Sequence, residues 1–183
     1  MAAKLPLAVD LDGTLIKTDL FMGAMLRFCS AAPWNAFVLL AWLARGRAHA
    51  KRQLTRLYPV VAAALPYNTP FVSWLQEERT AGRVLALATA FDQAGADAVA
   101  AHLGLFDHVF ASDGRTNLKS KKKADRLQRA FPDGFVYAGN ERADLKVWAA
   151  GQAAVIVNAS PTLEREAVRR FQAERVFPRD EHA

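Results

Sequence analysis

Apolar residues recur along the chain in two rhythms. Short runs at 7–11 (LAVDL), 83–88 (RVLALA), 108–111 (HVFA), 135–138 (FVYA) and 153–157 (AAVIV) read as buried strands. Longer stretches with apolar positions three and four apart predict helices over 69–81, 92–103, 120–131, 142–150 and 161–174. The last of these opens favourably, with Ser160 as cap and Pro161 in the first turn. Alternation of this kind predicts an α/β protein built on a doubly wound parallel sheet. Residues 20–65 interrupt it with three helix-like stretches, separated by AAPWN and RGRAH, and no strand. The pattern therefore divides the chain into an α/β core of residues 1–19 and 66–183 and a small inserted helical cap of residues 20–65. The two prolines of LPYNTP (65–70) mark the return to the core.

Composition narrows the class. The 183 residues are 52% hydrophobic and 23% charged, the balance of a globular protein with a real core. Cys29 is the only cysteine, so no internal disulfide forms and a reducing, cytoplasmic compartment is expected. His49, His102, His108 and His182 show no metal or triad spacing. The N-terminus lacks a secretory pattern. The longest apolar stretch, AAPWNAFVLLAWLA (31–44), is broken by Pro33 and Asn35 and falls short of the roughly 18–20 residues of a membrane span.

The net charge of +6, concentrated in KSKKK (119–123) and RRFQAER (169–175), favours anionic partners. No recognition helix, zinc spacing or aromatic RNA-binding signature accompanies it, so nucleic acid is not expected. PWNAFVLLAWLARGRAHAKRQ (33–53) sets Trp34, Phe37 and Trp42 beside Arg45, Arg47, Lys51 and Arg52. Two readings stand: an apolar and cationic face for an anionic membrane or a lipid-linked phosphate, on the inner side of the membrane, or apolar residues that pack the cap on itself.

In open α/β sheets ligands bind beyond the carboxyl ends of the strands. The polar residues there are Asp10, Asp12, Thr89, Ser112, Asp113, Asn140 and Asp144. Asp10 and Asp12 lie two apart at a strand end and so point to one side. Two such carboxylates repel unless a cation sits between them or one takes a proton. The first arrangement binds Mg²⁺, the second makes a general acid, and a carboxylate can also attack phosphorus directly. Gly13 lets the chain turn sharply and aims backbone N–H groups at a phosphate.

The hexapeptide DLDGTL (10–15) resembles the first motif of the haloacid dehalogenase superfamily, most of whose members are Mg²⁺-dependent phosphatases. LALATA (85–90) resembles its second motif, with Thr89 as the hydroxyl that binds a phosphoryl oxygen. TNLKSKKKADRL (116–127) resembles the third, the lysine that offsets charge; Lys119, before the small Ser120, is the preferred match, with Lys123 as the alternative. VYAGNERADL (136–145) resembles the fourth, with Asn140 where an aspartate is usual and Asp144 after three intervening residues.

That resemblance implies an aspartyl-phosphate phosphomonoesterase. Asp10 would be the nucleophile, Asp12 the general acid and base, Thr89 and Lys119 the phosphate ligands, and Asp10, Asp12, Asn140 and Asp144 the Mg²⁺ end. Asn140 brings a carboxamide oxygen but no charge, which Glu141 or Asp113 would have to supply. The position of the cap is similar to the phosphoserine-phosphatase-like branch. LPYN, AGRVLALATA, HLGLFDHVFASDG, TNLK and ADLKVW resemble the hydrolase domain found fused ahead of membrane polyprenyltransferases. The implied substrate is a phosphorylated small molecule or a lipid-linked phosphate of polyprenyl-linked sugar or lipid synthesis. The alternative is a weakened binding or regulatory module for a membrane prenyltransferase partner.

Overall fold

The computed structural model describes residues 4–179; His182 lies outside the described residues. Six strands form one parallel sheet: β1 (Leu7–Val9), β2 (Leu85–Asp92), β3 (His108–Ser112), β4 (Val136–Gly139), β5 (Ala153–Val157) and β6 (Ala173–Phe177). Their order is β3-β2-β1-β4-β5-β6, and every pairing is parallel. This doubly wound order reverses direction between β1 and β4, opening a crevice at their carboxyl ends.

Both faces of the sheet are covered, which is why its strands are nearly continuous in apolar residues. Leu7 and Val9 of β1 join Leu85 and Leu87 of β2 in a core with α4 (Thr69–Thr80) and α5 (Gln93–Leu103), through Phe71, Trp74, Leu75 and Val99. Ala8, Ala86, Ala88, Tyr137 and Ile156 form the opposite core with α6 (Lys121–Ala130), α7 (Leu145–Trp148) and α8 (Pro161–Arg170). Residues 20–64 hold three further helices, α1 (Leu20–Ala31), α2 (Asn35–Ala44) and α3 (Arg47–Leu57), and one 3₁₀ turn. Phe21, Phe28, Leu39 and Leu54 tie them to the first core.

Side-chain caps fix the helix starts. Asp19 accepts from the Met22 N–H (2.8 Å), Asn68 from Phe71 (3.4 Å) and Ser160 from Leu163 (3.4 Å). Among the described residues no helix is long and apolar enough to cross a membrane.

Two expectations need correction. The helix expected to run to 174 ends at Arg170, and residues 173–177 form a sixth strand. Their charged residues hid it: Glu174 reaches back to the buried Arg83 at 2.5 Å, while Phe177 packs on Phe71 and Trp74. The helix expected over 142–150 is a 3₁₀ turn followed by the four-residue α7.

Candidate active site

The crevice at the β1/β4 reversal is a cleft of about 440 Å³. Asp10, Asp12 and Gly13 line it from the loop after β1, Asn140 and Glu141 from the loop after β4, Lys119 and Lys123 from around α6, and Arg47 and Lys51 from α3. The strand–turn logic that joins the two aspartates is visible locally. Asp10 still belongs to the sheet, its N–H donating to the Ala138 carbonyl at 3.0 Å, and the chain then turns through Gly13 at φ +74°. A Cβ on Gly13 would lie 2.1 Å from Asn140 Nδ2, so both the backbone angle and the close approach require glycine.

Lys123 Nζ donates to Asp10 Oδ1 at 2.8 Å and to the Tyr137 hydroxyl at 2.6 Å. All three groups are buried. Burial works against the Lys123 ammonium, but the charges of Asp10 and then Asp144 outweigh it and hold its pKa above the usual lysine value. Lys119, the preferred lysine of the sequence reading, instead pairs with Glu141 at 2.8 Å at the cleft surface. The chain between them explains the difference. Ser120 adopts φ 56°, ψ −122°, which leaves Lys119 ahead of the helix while α6 carries Lys123 inward with Ala124 and Leu127.

Asp12 is the group prepared to hold a proton. Burial, and after it the charge of Asp10, push its pKa up to about 7, although the Leu20 N–H donates to Oδ1 at 2.9 Å.

Asn140 presents its carboxamide to the cleft and accepts from the Thr14 hydroxyl through Oδ1 at 3.2 Å. Asp144 does not line the cleft. Its carboxylate accepts from the N–H groups of Asn140 and Glu141, both at 3.0 Å, and from the Tyr137 hydroxyl at 3.0 Å. It therefore anchors the loop that carries Asn140, and burial raises its pKa.

Thr89 is likewise absent from the wall. It is fully buried and its hydroxyl accepts from the Phe91 N–H at 2.9 Å, while Ala90 reaches the cleft. A register shift between Ala88 and Asp92 in the β2–β3 pairing re-aims the side chains there. Ser112 serves structure: it donates to the Ala90 carbonyl at 2.9 Å and accepts from the Leu118 N–H at 3.0 Å. Asp113 caps its own turn through the Arg115 and Thr116 N–H groups and lines a different cavity. Of the two candidate sources of extra charge, Glu141 alone borders the cleft.

Thr14 and Tyr137 escaped sequence reasoning, and Lys51 entered it only as part of the cap's cationic face. Thr14, one residue past Gly13, orients Asn140. Tyr137 links Lys123 to Asp144. Lys51, from α3, donates to the Ala90 carbonyl and to Asn117 Oδ1 (3.4 Å), with its ammonium 5.4 Å from the Phe21 ring centre. Burial lowers the Lys51 pKa, and Asp12 only partly offsets this. Helical phase was the available signal, because Lys51 lies between Ala48 and Leu54 on the buried face of α3.

No family model matches the chain. The uncharacterized protein y4nM of Sinorhizobium fredii is 39% identical over 181 residues, which are 96% of this chain and 35% of that protein, so the chain spans about a third of this relative. A solved protein of unknown function from Bordetella pertussis Tohama I aligns with TM-score 0.68 at 20% identity, over 96% of this chain and 99% of that one. Phosphoserine phosphatase, solved as a phospho-aspartyl intermediate analogue, aligns with TM-score 0.63 at 16% identity, over 99% and 97%. The fold is haloacid dehalogenase-like. Within that fold class, a cobalt-bound deoxy-D-mannose-octulosonate 8-phosphate phosphatase of Haemophilus influenzae aligns with TM-score 0.54 at 14% identity, over 93% and 75%. None of these descriptions supports the narrower resemblance to a prenyltransferase-fused domain.

Among the described residues no three Asp, Glu, His or Cys side chains gather as a metal cluster. Asp10, Asp12, Asp19, Glu141 and the neutral Asn140 line the haloacid dehalogenase-like cleft, but Lys123 already takes Asp10 Oδ1, Lys119 pairs with Glu141, and Asp12 and Asp19 each accept from a backbone N–H, so few carboxylate oxygens stay free. So sparse a donor set fits a Mg²⁺ ion that keeps several waters and shares the substrate's phosphate, rather than a closed metal cage.

Proposed function

We propose that this chain is a phosphomonoesterase that transfers a phosphoryl group to Asp10 and then to water. The observation that carries the reading is the buried Asp10–Lys123 pair, two residues from a carboxyl group whose pKa lies near neutrality. An Asp10 oxygen forms the new bond to phosphorus as the bond to the leaving oxygen breaks. Asp12 gives its proton to that oxygen, then takes one from the attacking water as the Asp10–phosphorus bond is cleaved. Lys123 neutralises charge at the nucleophile, and Lys51 and Lys119 line the cleft where they would hold a phosphoryl group. Asp10, the Asp12 carbonyl and Asn140 would hold Mg²⁺, which lowers the repulsion between two anionic reactants; Asp144 keeps Asn140 in place. The helices of residues 20–64 act as a cap over the cleft. The cationic wall suits a phosphorylated small molecule or a lipid-linked phosphate.

Incubation with acetyl phosphate and Mg²⁺ tests this. A hydroxylamine-labile phosphoenzyme should form in the wild type and be absent in Asp10→Asn, together with turnover of para-nitrophenyl phosphate. If hydrolysis is undetectable and Asp10→Asn leaves cellular function intact, the chain is instead a binding module that keeps the fold without the reaction.

A further inference from the structure

Helix α2 has no charged residue, and the uncharged run extends from Phe28 to Ala44. A helix that is apolar on every side belongs in a core or against lipid, because an ordinary surface helix turns one polar face to water. Only one side of α2 is so used. Leu39 is buried, and Trp42 and Leu43 are half-buried on the core, with Trp42 stacked on Phe28 at 5.0 Å. Phe37, Leu40, Ala41 and Ala44 lie away from that side, and Trp34 precedes the helix. Phe37 is 75% exposed, Trp34 68% and Leu40 62%. The cap buries Phe21, Phe28 and Leu39 but leaves Trp34, Phe37 and Leu40 in water, so packing of the cap on itself does not account for all of 33–53.

The charge around this face identifies what covers it. Between Leu20 and Gln76 there is no aspartate or glutamate, while Arg27, Arg45, Arg47, Lys51, Arg52 and Arg56 all fall in the segment. Arg45 follows the last residue of α2 and Arg47 opens α3, both exposed. A second copy of the chain meeting this face through a two-fold axis would set arginine against arginine, with no acid from residues 20–76 to compensate. An anionic bilayer answers both features, taking aromatic and aliphatic side chains at the acyl boundary and cations at the headgroup phosphates.

We propose that the exposed face of α2 docks on an anionic lipid surface, with Trp34, Phe37 and Leu40 entering the interface and Arg45 and Arg47 meeting headgroups. Arg47 also lines the cleft, so docking sets the cleft beside the bilayer. The inference does not depend on catalysis and holds for an inactive binding module as well.

Flotation of the chain with phosphatidylcholine vesicles, with and without about 30% phosphatidylglycerol, tests it. Binding should require the anionic lipid and weaken about tenfold between about 50 and about 500 mM salt. Phe37→Ser/Leu40→Ser, at exposed positions, should keep the wild-type melting temperature and lose roughly tenfold or more in partitioning; Arg45→Glu should lose several-fold. Three results would each overturn the proposal. The wild type does not float at low salt, or the double serine variant floats as well as the wild type, or light scattering shows a dimer that this variant converts to monomer.

Discussion

Replacing Lys123 by methionine keeps the bulk of the side chain and removes only its ammonium. Lys123 is 2% exposed and Asp10 5%, so the change leaves a largely desolvated carboxylate in the cleft wall without its counter-ion and takes a donor from the Tyr137 oxygen. Removing one partner of a buried ion pair costs about 3–5 kcal/mol. That is a large part of the roughly 5–15 kcal/mol that stabilises an ordinary domain. Lys119→Met is the control, since the Lys119 and Glu141 side chains are 39% and 46% exposed and such a pair contributes about 0–1 kcal/mol. Urea unfolding followed by tryptophan fluorescence should separate the two variants by several kcal/mol. Asp10→Asn/Lys123→Met, which buries no charge at that position, should regain part of the loss. On activity, losing a preorganised cation at the nucleophile should lower phosphoryl transfer about 10²–10³-fold. Lys119→Met should change it by less than about tenfold, as expected for a screened surface cation. The reasoning fails if Lys123→Met is as stable as the wild type, or if Lys119→Met loses more activity.

Two further results follow from the same site. Asn140→Asp adds a carboxylate to the donor set, so calorimetry should show Mg²⁺ binding at least about tenfold tighter than in the wild type; unchanged affinity would place the ion elsewhere. Asp12 has its pKa raised from 3.8 to about 7, so the folded state holds this proton more tightly than the unfolded one. Its stabilising effect is complete below 3.8 and is lost as pH rises through about 7. Wild-type melting temperatures should accordingly fall across neutrality, and phosphoryl transfer to Asp10 should decline on the same limb. Asp12→Asn should flatten the melting profile, and equal slopes in the two proteins would reject the assignment.

The sequence by itself determined the parts that local chemistry dictates. Short runs of Leu, Val and Ala bounded by turn residues read as strands, and five of the six were legible. DLDG after such a run placed two carboxylates and a glycine turn just past a strand end, where β1 stops at Val9 and both aspartates line the cleft. Ser160 announced its helix by capping it. β6 was hidden, since an edge strand exposed to water tolerates Glu174 and Arg175 and so reads like the end of a basic helix.

What tertiary structure decided was which groups meet. The order of the strands brought β1 beside β4, and with it Asn140 to Gly13 across more than a hundred residues. Lys119 and Lys123 differ little in composition or motif distance, and the choice between them rested on helical phase: Lys123 lies four residues before Leu127 and so on the inner face of α6. Thr89 lies buried beside the register shift in β2, and the Asp144 carboxylate accepts from the N–H groups of Asn140 and Glu141. The meetings of Lys123 with Asp10 and of Asn140 with Gly13 join residues distant in the chain, whereas the helical phase of Lys123 and the N–H groups around Asp144 are local. The sequence names the candidate groups, and only packing fixes the directions in which they point.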